Sequence, residues 1–249
     1  MQSGISFNIY VPSYKRSGRI RTWNVVEGCT YVVRQDEEDA YREAGVDRLL
    51  VIPENAETKS GQKVSDFMTT LYWIIENTPE EVVCVIDDDI KRFYYRTDNT
   101  VPIDSTSFQD PSAVVMDEIL GVAQMVSDLG IGFACTHPNK AVYYYNREFS
   151  FVGMAGPVRW INKKSFKARL TKDDWAQSDI DMVMQELLAN RIILQPNHIV
   201  ADAEIQTGKG GTAVSSRIME NYRHAMRVKW GVHYKYDKKT NKVRINVQR

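Results

Sequence analysis

The run Val82-Val83-Cys84-Val85-Ile86, followed at once by Asp87-Asp88-Asp89, constrains this chain more than any other segment. An apolar, β-branched run of this length reads as a buried strand. Three carboxylates crowded at its carboxyl end repel one another unless a cation or hydrogen-bond donors hold them there. Oxygen-only ligation of that kind suits Mg²⁺ or Mn²⁺, with substrate phosphates completing the coordination. Open α/β sheets bind ligands at the carboxyl ends of their strands, so the location agrees with the chemistry. The competing reading is a plain strand-ending turn, because Asp is a good turn residue.

The 249 residues suffice for one large domain or two small ones, with a substantial core. No apolar stretch approaches bilayer length and the N-terminus lacks a signal-peptide pattern, so a cytoplasmic location is expected. Cys29, Cys84 and Cys135 are scattered in apolar surroundings without metal-ligand spacing; they read as reduced core residues and exclude a zinc site. The zero net charge hides an asymmetry, since from Thr207 onward 11 Lys and Arg face two acids. That tail points to a polyanion or to closure over phosphates, or else is a solvated face.

Along the chain, strands are expected at 5–11, 31–33 and 49–52, with a short helix over 37–44 between the last two. The spacing of Val64, Phe67, Met68, Leu71, Tyr72 and Ile75 predicts an amphipathic helix, opened by Gly61-Gln62-Lys63 and leading into the aspartate strand. This alternation predicts an α/β protein with a mostly parallel sheet flanked by helices. Residues 96–111 read as a loop or lid. A helix follows at Val115, Ile119, Val122, Val126 and Leu129, then a strand at 131–135. Antiparallel additions are expected at 143–145 and 149–152. After them come a helix over 179–190, a strand at 192–194, a Gly-rich loop, a basic helix over 215–228 and a hairpin turning at 238–241.

Several constellations are candidates for chemistry. Pro12-Ser13-Tyr14-Lys15-Arg16, at the end of the first strand, offers a hydroxyl, an aromatic face for a base and a guanidinium for phosphate oxygens. Asp36 is placed to accept from a base or ribose, or to cap the helix after it. Lys63, at a helix N-terminus, is a candidate phosphate ligand. Ser178-Asp179-Ile180-Asp181 opens a helix whose acids are either a capping arrangement or a second acidic site. Lys209, Gly210, Gly211 and Thr212 lack the Walker spacing but let backbone amides approach a phosphate. Phe151 to Trp160 carries two glycines and a Trp that reads as exposed, either a pocket wall or a tight turn.

Taken together, residues 9–16, Asp36, Lys63 and Val85-Ile86-Asp87-Asp88-Asp89 resemble the nucleotide-sugar half of a GT-A-fold glycosyltransferase, a Rossmann-related architecture. The resemblance implies a divergent pair of halves, 1–95 for the nucleotide sugar and 96–212 for the acceptor, with 213–249 as a basic extension of the same domain. It implies a UDP-sugar donor and Mn²⁺ or Mg²⁺, with Asp87 and Asp89 at the metal. Pro12, Ser13, Tyr14, Arg16, Asp36, Lys63, Asp87, Asp88 and Lys209 to Thr212 would then face the donor. Asp179 would be the general base, with Asp181 second. The late histidine that many such enzymes give to the metal is replaced by Gln206, with His198 several residues earlier.

The acceptor side is expected at Gly153, Trp160, Arg223, Arg227 and Lys229. The basic tail, interleaved with Tyr222, Trp230, Tyr234 and Tyr236, suits phosphate contacts plus base stacking. It looks like the phage TET-associated glycosyltransferases, which implies DNA as partner and 5-hydroxymethylcytosine, or an already modified base, as acceptor, flipped out where it is paired. It would also make the cytoplasm that of a host cell. The alternatives are a protein, glycan or small-molecule acceptor, a nucleotidyltransferase on a similar sheet, and a nucleic-acid-binding module with a dead nucleotide fold.

Overall fold

The computed structural model describes residues 4–138, 140–141, 147–170, 178–203, 216–239 and 242–247, with the side chains of 216–219 and 242 left aside. Its central sheet takes strands β1 (Phe7–Pro12), β2 (Thr30–Arg34), β3 (Leu49–Ile52), β4 (Val82–Ile86), β7 (Phe133–Cys135) and β9 (Val158–Asn162). Their order is β3-β2-β1-β4-β9-β7, and β9 alone runs against its neighbours.

The alternation of side chains along each strand divides the core in two. From β4, Val82, Cys84 and Ile86 join Ile9, Val11, Tyr31 and Val33 on one face, against Val115, Ile119, Val122 and Val126 of helix α3 (Pro111–Asp128). Val83 and Val85 point the other way, with Tyr10 and Val32, toward Leu71 and Ile74 of α2 (Phe67–Asn77) and Met182, Val183 and Leu187 of α4 (Asp179–Ala189). A strand apolar at every position is therefore what a sheet covered on both faces requires. The winding reverses between β1 and β4, where two neighbouring strands release their chains in different directions; that is the ligand crevice of an open α/β sheet.

Outside the central sheet, β5 (Ile90–Arg96) pairs antiparallel with β6 (Thr100–Ile103) and β11 (Ile199–Ala203). Asp87-Asp88-Asp89 is thus the whole connection between β4 and β5, which lie in different sheets. The loop or lid expected over 96–111 is corrected accordingly: its first half is sheet, and Asp110 then caps α3, with Pro111 at the first helical position. The segment Ile90-Lys91-Arg92-Phe93 hides its strand character behind charge, since only Ile90, Phe93 and Arg96 are buried on it. Short strands β8 (Phe149–Ser150) and β10 (Gln195–Pro196) pair with each other. The expected strand at 192–194 gives way to a single bridge from Leu194 to Ala134. The expectation at 143–145 lies outside the described residues.

Helix α1 (Glu38–Glu43) follows a 3-10 turn at Gln35–Glu37. Helix α2 begins at Phe67, not at Gly61: Asp66 and Thr69 form its capping box, and the backbone of Lys63 forms an isolated antiparallel bridge with that of Glu57 in the loop before it. The chain ends in α5 (Ser216–Trp230) and the hairpin β12 (Tyr234–Asp237) and β13 (Lys242–Ile245), as the sequence pattern predicts. Met226 and Tyr234 pack with Met184 of α4, which ties these elements to the main body. Among the described residues no helix is long and apolar enough to cross a membrane.

Gly156, just before β9, is a position of forced close approach. A Cβ there would fall on the Thr136 carbonyl oxygen and lie 2.7 Å from Thr136 Oγ1. Thr136 is itself fixed, its N–H donating to Val158 O at 3.0 Å. Gly156→Ala is expected to cost about 1–3 kcal/mol through overpacking, read as a lower urea midpoint at unchanged slope.

Candidate active site

The aspartate turn is held from behind by Thr22, which is fully buried. Its hydroxyl donates to Asp87 O at 2.6 Å and accepts from Ile90 N at 3.1 Å, spanning the turn from end to end. With the backbone pinned, the three carboxylates diverge. Asp88, 8% exposed, accepts from Ser13 Oγ at 2.6 Å and from Arg16 Nη1 at 2.5 Å. With its own proton given to Asp88, Ser13 Oγ accepts from Tyr41 Oη at 2.6 Å. Burial raises the Asp88 carboxyl, and the Ser13 hydroxyl and Arg16 guanidinium oppose that rise. Ser13 and Asp88, both expected to face a donor, are spent on each other; their role is to fix Arg16.

Asp87 takes Arg159 instead, with Nη1 at 2.7 Å from Oδ1. Asp89 has the weakest hold, a 3.4 Å approach from Arg16 Nη1. Burial, then the charges of Asp87 and Asp88, push its pKa up to about 6. The turn therefore presents one carboxylate shared with a buried arginine and one almost unsatisfied.

Arg159 is the residue that sequence reasoning missed. It stands near the start of β9, 5% exposed, its guanidinium 4.8 Å from the Phe67 ring centre. Its Nη2 lies 4.0 Å from Asp179 Oδ2, so one guanidinium joins carboxylates 92 positions apart in sequence. The signal was present: Arg159 is the one charge in the apolar strand Val158-Arg159-Trp160-Ile161, and a buried charge requires partners.

Asp179 opens α4, its Oδ1 accepting from Ile180 N at 2.8 Å. Its side chain is 38% exposed, yet surrounding protein raises its pKa, with Arg159 opposing. A group on the floor of a cleft behaves this way, reachable by solvent and largely walled in. Ser178 caps the helix, accepting from Asp181 N at 3.1 Å, and its hydroxyl meets Tyr222 Oη at 2.6 Å.

Asp181 corrects its expectation as a base. It is 2% exposed and accepts from Trp230 Nε1 at 2.7 Å, Gln185 Nε2 at 2.8 Å and Lys229 Nζ at 2.9 Å. A carboxylate so saturated anchors α5 to α4, and Lys229, expected at the acceptor, is its counter-ion. Asp181→Asn keeps the shape and removes the charge, for an expected loss of about 1.5–3 kcal/mol. Faster amide exchange confined to α5 and the hairpin would report it; uniform exchange would count against the anchor.

Trp160 is corrected as well: it is 1% exposed, its Nε1 donating to Ile119 O at 2.9 Å inside the core. Gly153 packs against the Gln195 amide, whose Nε2 donates to Met154 O at 2.9 Å, so a close approach explains that glycine. Pro12 ends β1 opposite Val32. Tyr14 lies with its ring under Arg34, 4.4 Å from the guanidinium carbon. Asp36 is exposed in the 3-10 turn and caps nothing. Lys63 is exposed in its loop. His198 pairs with Glu118 of α3, Nε2 to Oε2 at 3.0 Å, away from a metal role at the aspartates. Arg223 and Arg227 lie on α5 beside Tyr236. Gln206 and Lys209, Gly210, Gly211 and Thr212 lie outside the described residues.

No family model and no curated protein matches this chain. Solved structures do. Glucosyl-3-phosphoglycerate synthase from Mycobacterium tuberculosis, in complex with Mn²⁺, UDP-glucose and phosphoglyceric acid, is similar at a TM-score of 0.54 and 9% identity, covering 98% of this chain and 88% of that one. S. aureus TarS 1-349, in complex with UDP-GlcNAc, is similar at 0.53 and 13% identity, covering 90% of this chain and 65% of that one. At such identities the likeness speaks for the fold, and the fold is the GT-A arrangement: a mainly parallel sheet flanked by helices.

Proposed function

We propose that this chain moves a sugar from a UDP-sugar to an acceptor hydroxyl, with Mn²⁺ or Mg²⁺ held at the aspartate turn. The observation that carries this is the fate of the three carboxylates. Arg16 satisfies Asp88 and Arg159 satisfies Asp87, which leaves Asp89 with a 3.4 Å approach as its single ion pair among the described residues. One or two carboxylates completed by substrate phosphates are the usual donor set for a hard divalent ion. The residues fit that group, with Asp89 as principal ligand and Asp87 beside it. When bound, the ion offsets charge on the departing diphosphate. The synthase and TarS, which share the fold, carry UDP-sugars in their complexes.

The chain's own groups account for the rest. Tyr14 offers a face for the base, and Arg16, fixed by Asp88, a guanidinium for phosphate oxygens. Pro12, Asp36, Lys63 and Lys209 to Thr212 complete the proposed donor side. Asp179 takes the proton of the acceptor hydroxyl as its oxygen bonds to the anomeric carbon and the bond to the diphosphate oxygen breaks. This single displacement inverts the anomeric centre. Arg159 keeps Asp179 and Asp87 in fixed relation throughout.

The acceptor within this reading is 5-hydroxymethylcytosine, or an already modified base, in DNA. The excess of cations from Thr207 onward and the aromatics among them support it. The test is incubation with Mn²⁺, a panel of UDP-sugars and 5-hydroxymethylcytosine DNA, followed by UDP release and nucleoside masses. A sugar-sized gain that chelation abolishes is expected. Chelator-sensitive UDP release without a gain would keep the transferase and reject this DNA, and the absence of both signals would sink the proposal.

A further inference from the structure

The aspartate turn does not exhaust the molecule's charged chemistry. A surface cavity of about 190 Å³ opens between α5 and β12, lined by Glu220, Arg223, Arg227, Tyr236 and Lys238. Among the described residues its lining carries three cations and one carboxylate, around a space of about six waters at ~30 Å³ each. That is smaller than the roughly 300–1,000 Å³ of a site for a drug-sized ligand. Size and charge together suit a compact anion and exclude a whole nucleotide.

The cavity is built, not a chance meeting of surface chains. The Arg223 guanidinium lies 3.9 Å from the centre of the Tyr236 ring, which fixes its plane. Arg227 follows one turn later on the same face, its Nε donating to Arg223 O at 3.3 Å. Tyr234, on the same strand as Tyr236, is 2% exposed, and its hydroxyl has no hydrogen-bond partner among the described residues. Arg223 and Arg227 are the cations acting on that phenol. An anion rich in oxygens supplies acceptors to the guanidinium groups of Arg223 and Arg227.

We infer that this cavity binds a phosphate group, by which an acceptor is anchored beside Asp179. The placement is argued from α5, whose Tyr222 has its hydroxyl 2.6 Å from Ser178 Oγ and so holds the helix that carries Arg223 and Arg227 against the start of α4. Only the word acceptor rests on the glycosyl-transfer reading; phosphate binding stands apart from it.

The experiment is calorimetric titration of inorganic phosphate into the full chain, its Arg227→Gln and Lys238→Gln variants, and Asp89→Ala. Arg227 and Lys238 are exposed, so both substitutions spare the core, and thermal melts check this. Binding is expected at about pH 7.5 and weaker at about pH 5.5, because inorganic phosphate passes from dianion to monoanion as pH falls through neutrality. Roughly tenfold or greater weakening is expected in both cavity variants, with Asp89→Ala unchanged. No binding, or equal affinity in the cavity variants, overturns the site. So does loss in Asp89→Ala alone, which would move the phosphate to the donor side. Competition then names the source. Displacement by a short DNA duplex, fading with salt, assigns it to a nucleic-acid backbone, and displacement by glycerol phosphate alone to a small acceptor. Displacement by neither overturns the anchoring role. Phosphate binding without any sugar transfer would leave the cavity standing and remove the transferase.

Discussion

Asp89→Ala is expected to lower chelator-sensitive UDP-sugar turnover by about 10²–10³-fold, the usual scale for deleting a main electrostatic stabiliser, while making the metal-free protein more stable. The two effects share one cause. Asp89 holds little of the fold, having a long approach from Arg16 as its pairing. Burial, then the charges of Asp87 and Asp88, push its folded pKa up to about 6, above the ordinary aspartate range. The folded state therefore binds this proton more tightly than the unfolded state. Stability from this group is highest below the unfolded pKa and falls as pH rises toward and past about 6. The shift corresponds to about 2–3 kcal/mol at neutral pH. In chelator, urea unfolding of the variant and parent should coincide near pH 4 and diverge in the variant's favour by pH 7. A variant less stable at pH 7 would show that Asp89 supports the fold, and unchanged turnover would remove the metal from the aspartate turn.

Arg159→Met should be the most destabilising single substitution at the site, at about 3–5 kcal/mol, because it strands carboxylates that one buried guanidinium now serves. Nη1 lies 2.7 Å from Asp87 and Nη2 4.0 Å from Asp179, with Phe67 against the guanidinium face. Arg159→Lys keeps the charge but offers a compact head in place of a planar fork. It should recover much of the stability while turnover stays down by about 10²-fold, the scale of a misplaced reacting group. Equal turnover in Arg159→Lys and the parent would show that Asp179 needs no such positioning. Unchanged urea unfolding of Arg159→Met would deny the pairing itself.

The parts legible in the sequence are those whose signal is local. Val82 to Ile86 announces a strand buried on both faces, and the aspartates mark its end; Ser178 before Asp179 announces a helix start. What escaped depends on partners far along the chain. Asp181 and Asp179 look alike in sequence, and Lys229 and Trp230, 48 and 49 positions away, decide that Asp181 is an anchor. Trp160 sits near two glycines and a proline that suggest a surface turn, yet the antiparallel run of β9 carries it into the core under Ile119. Strand β5 escaped because its buried positions, Ile90, Phe93 and Arg96, lie three apart and break the alternation of a half-buried strand.

The direction of β9 reaches into how the site comes into being. Because β9 runs against β4, it begins where β4 ends, and so delivers Arg159 to the aspartate edge from the far half of the chain. A nascent chain that has reached only residue 95 already owns all three aspartates but not the arginine that balances Asp87. Contacts so distant in sequence form slowly, since the intervening chain must first be closed into a loop. Ribosome-bound chains released before and after residue 162 would thus differ in kind. The shorter one holds a strand edge beside an Asp87 without its arginine, and the longer one is the first able to supply it.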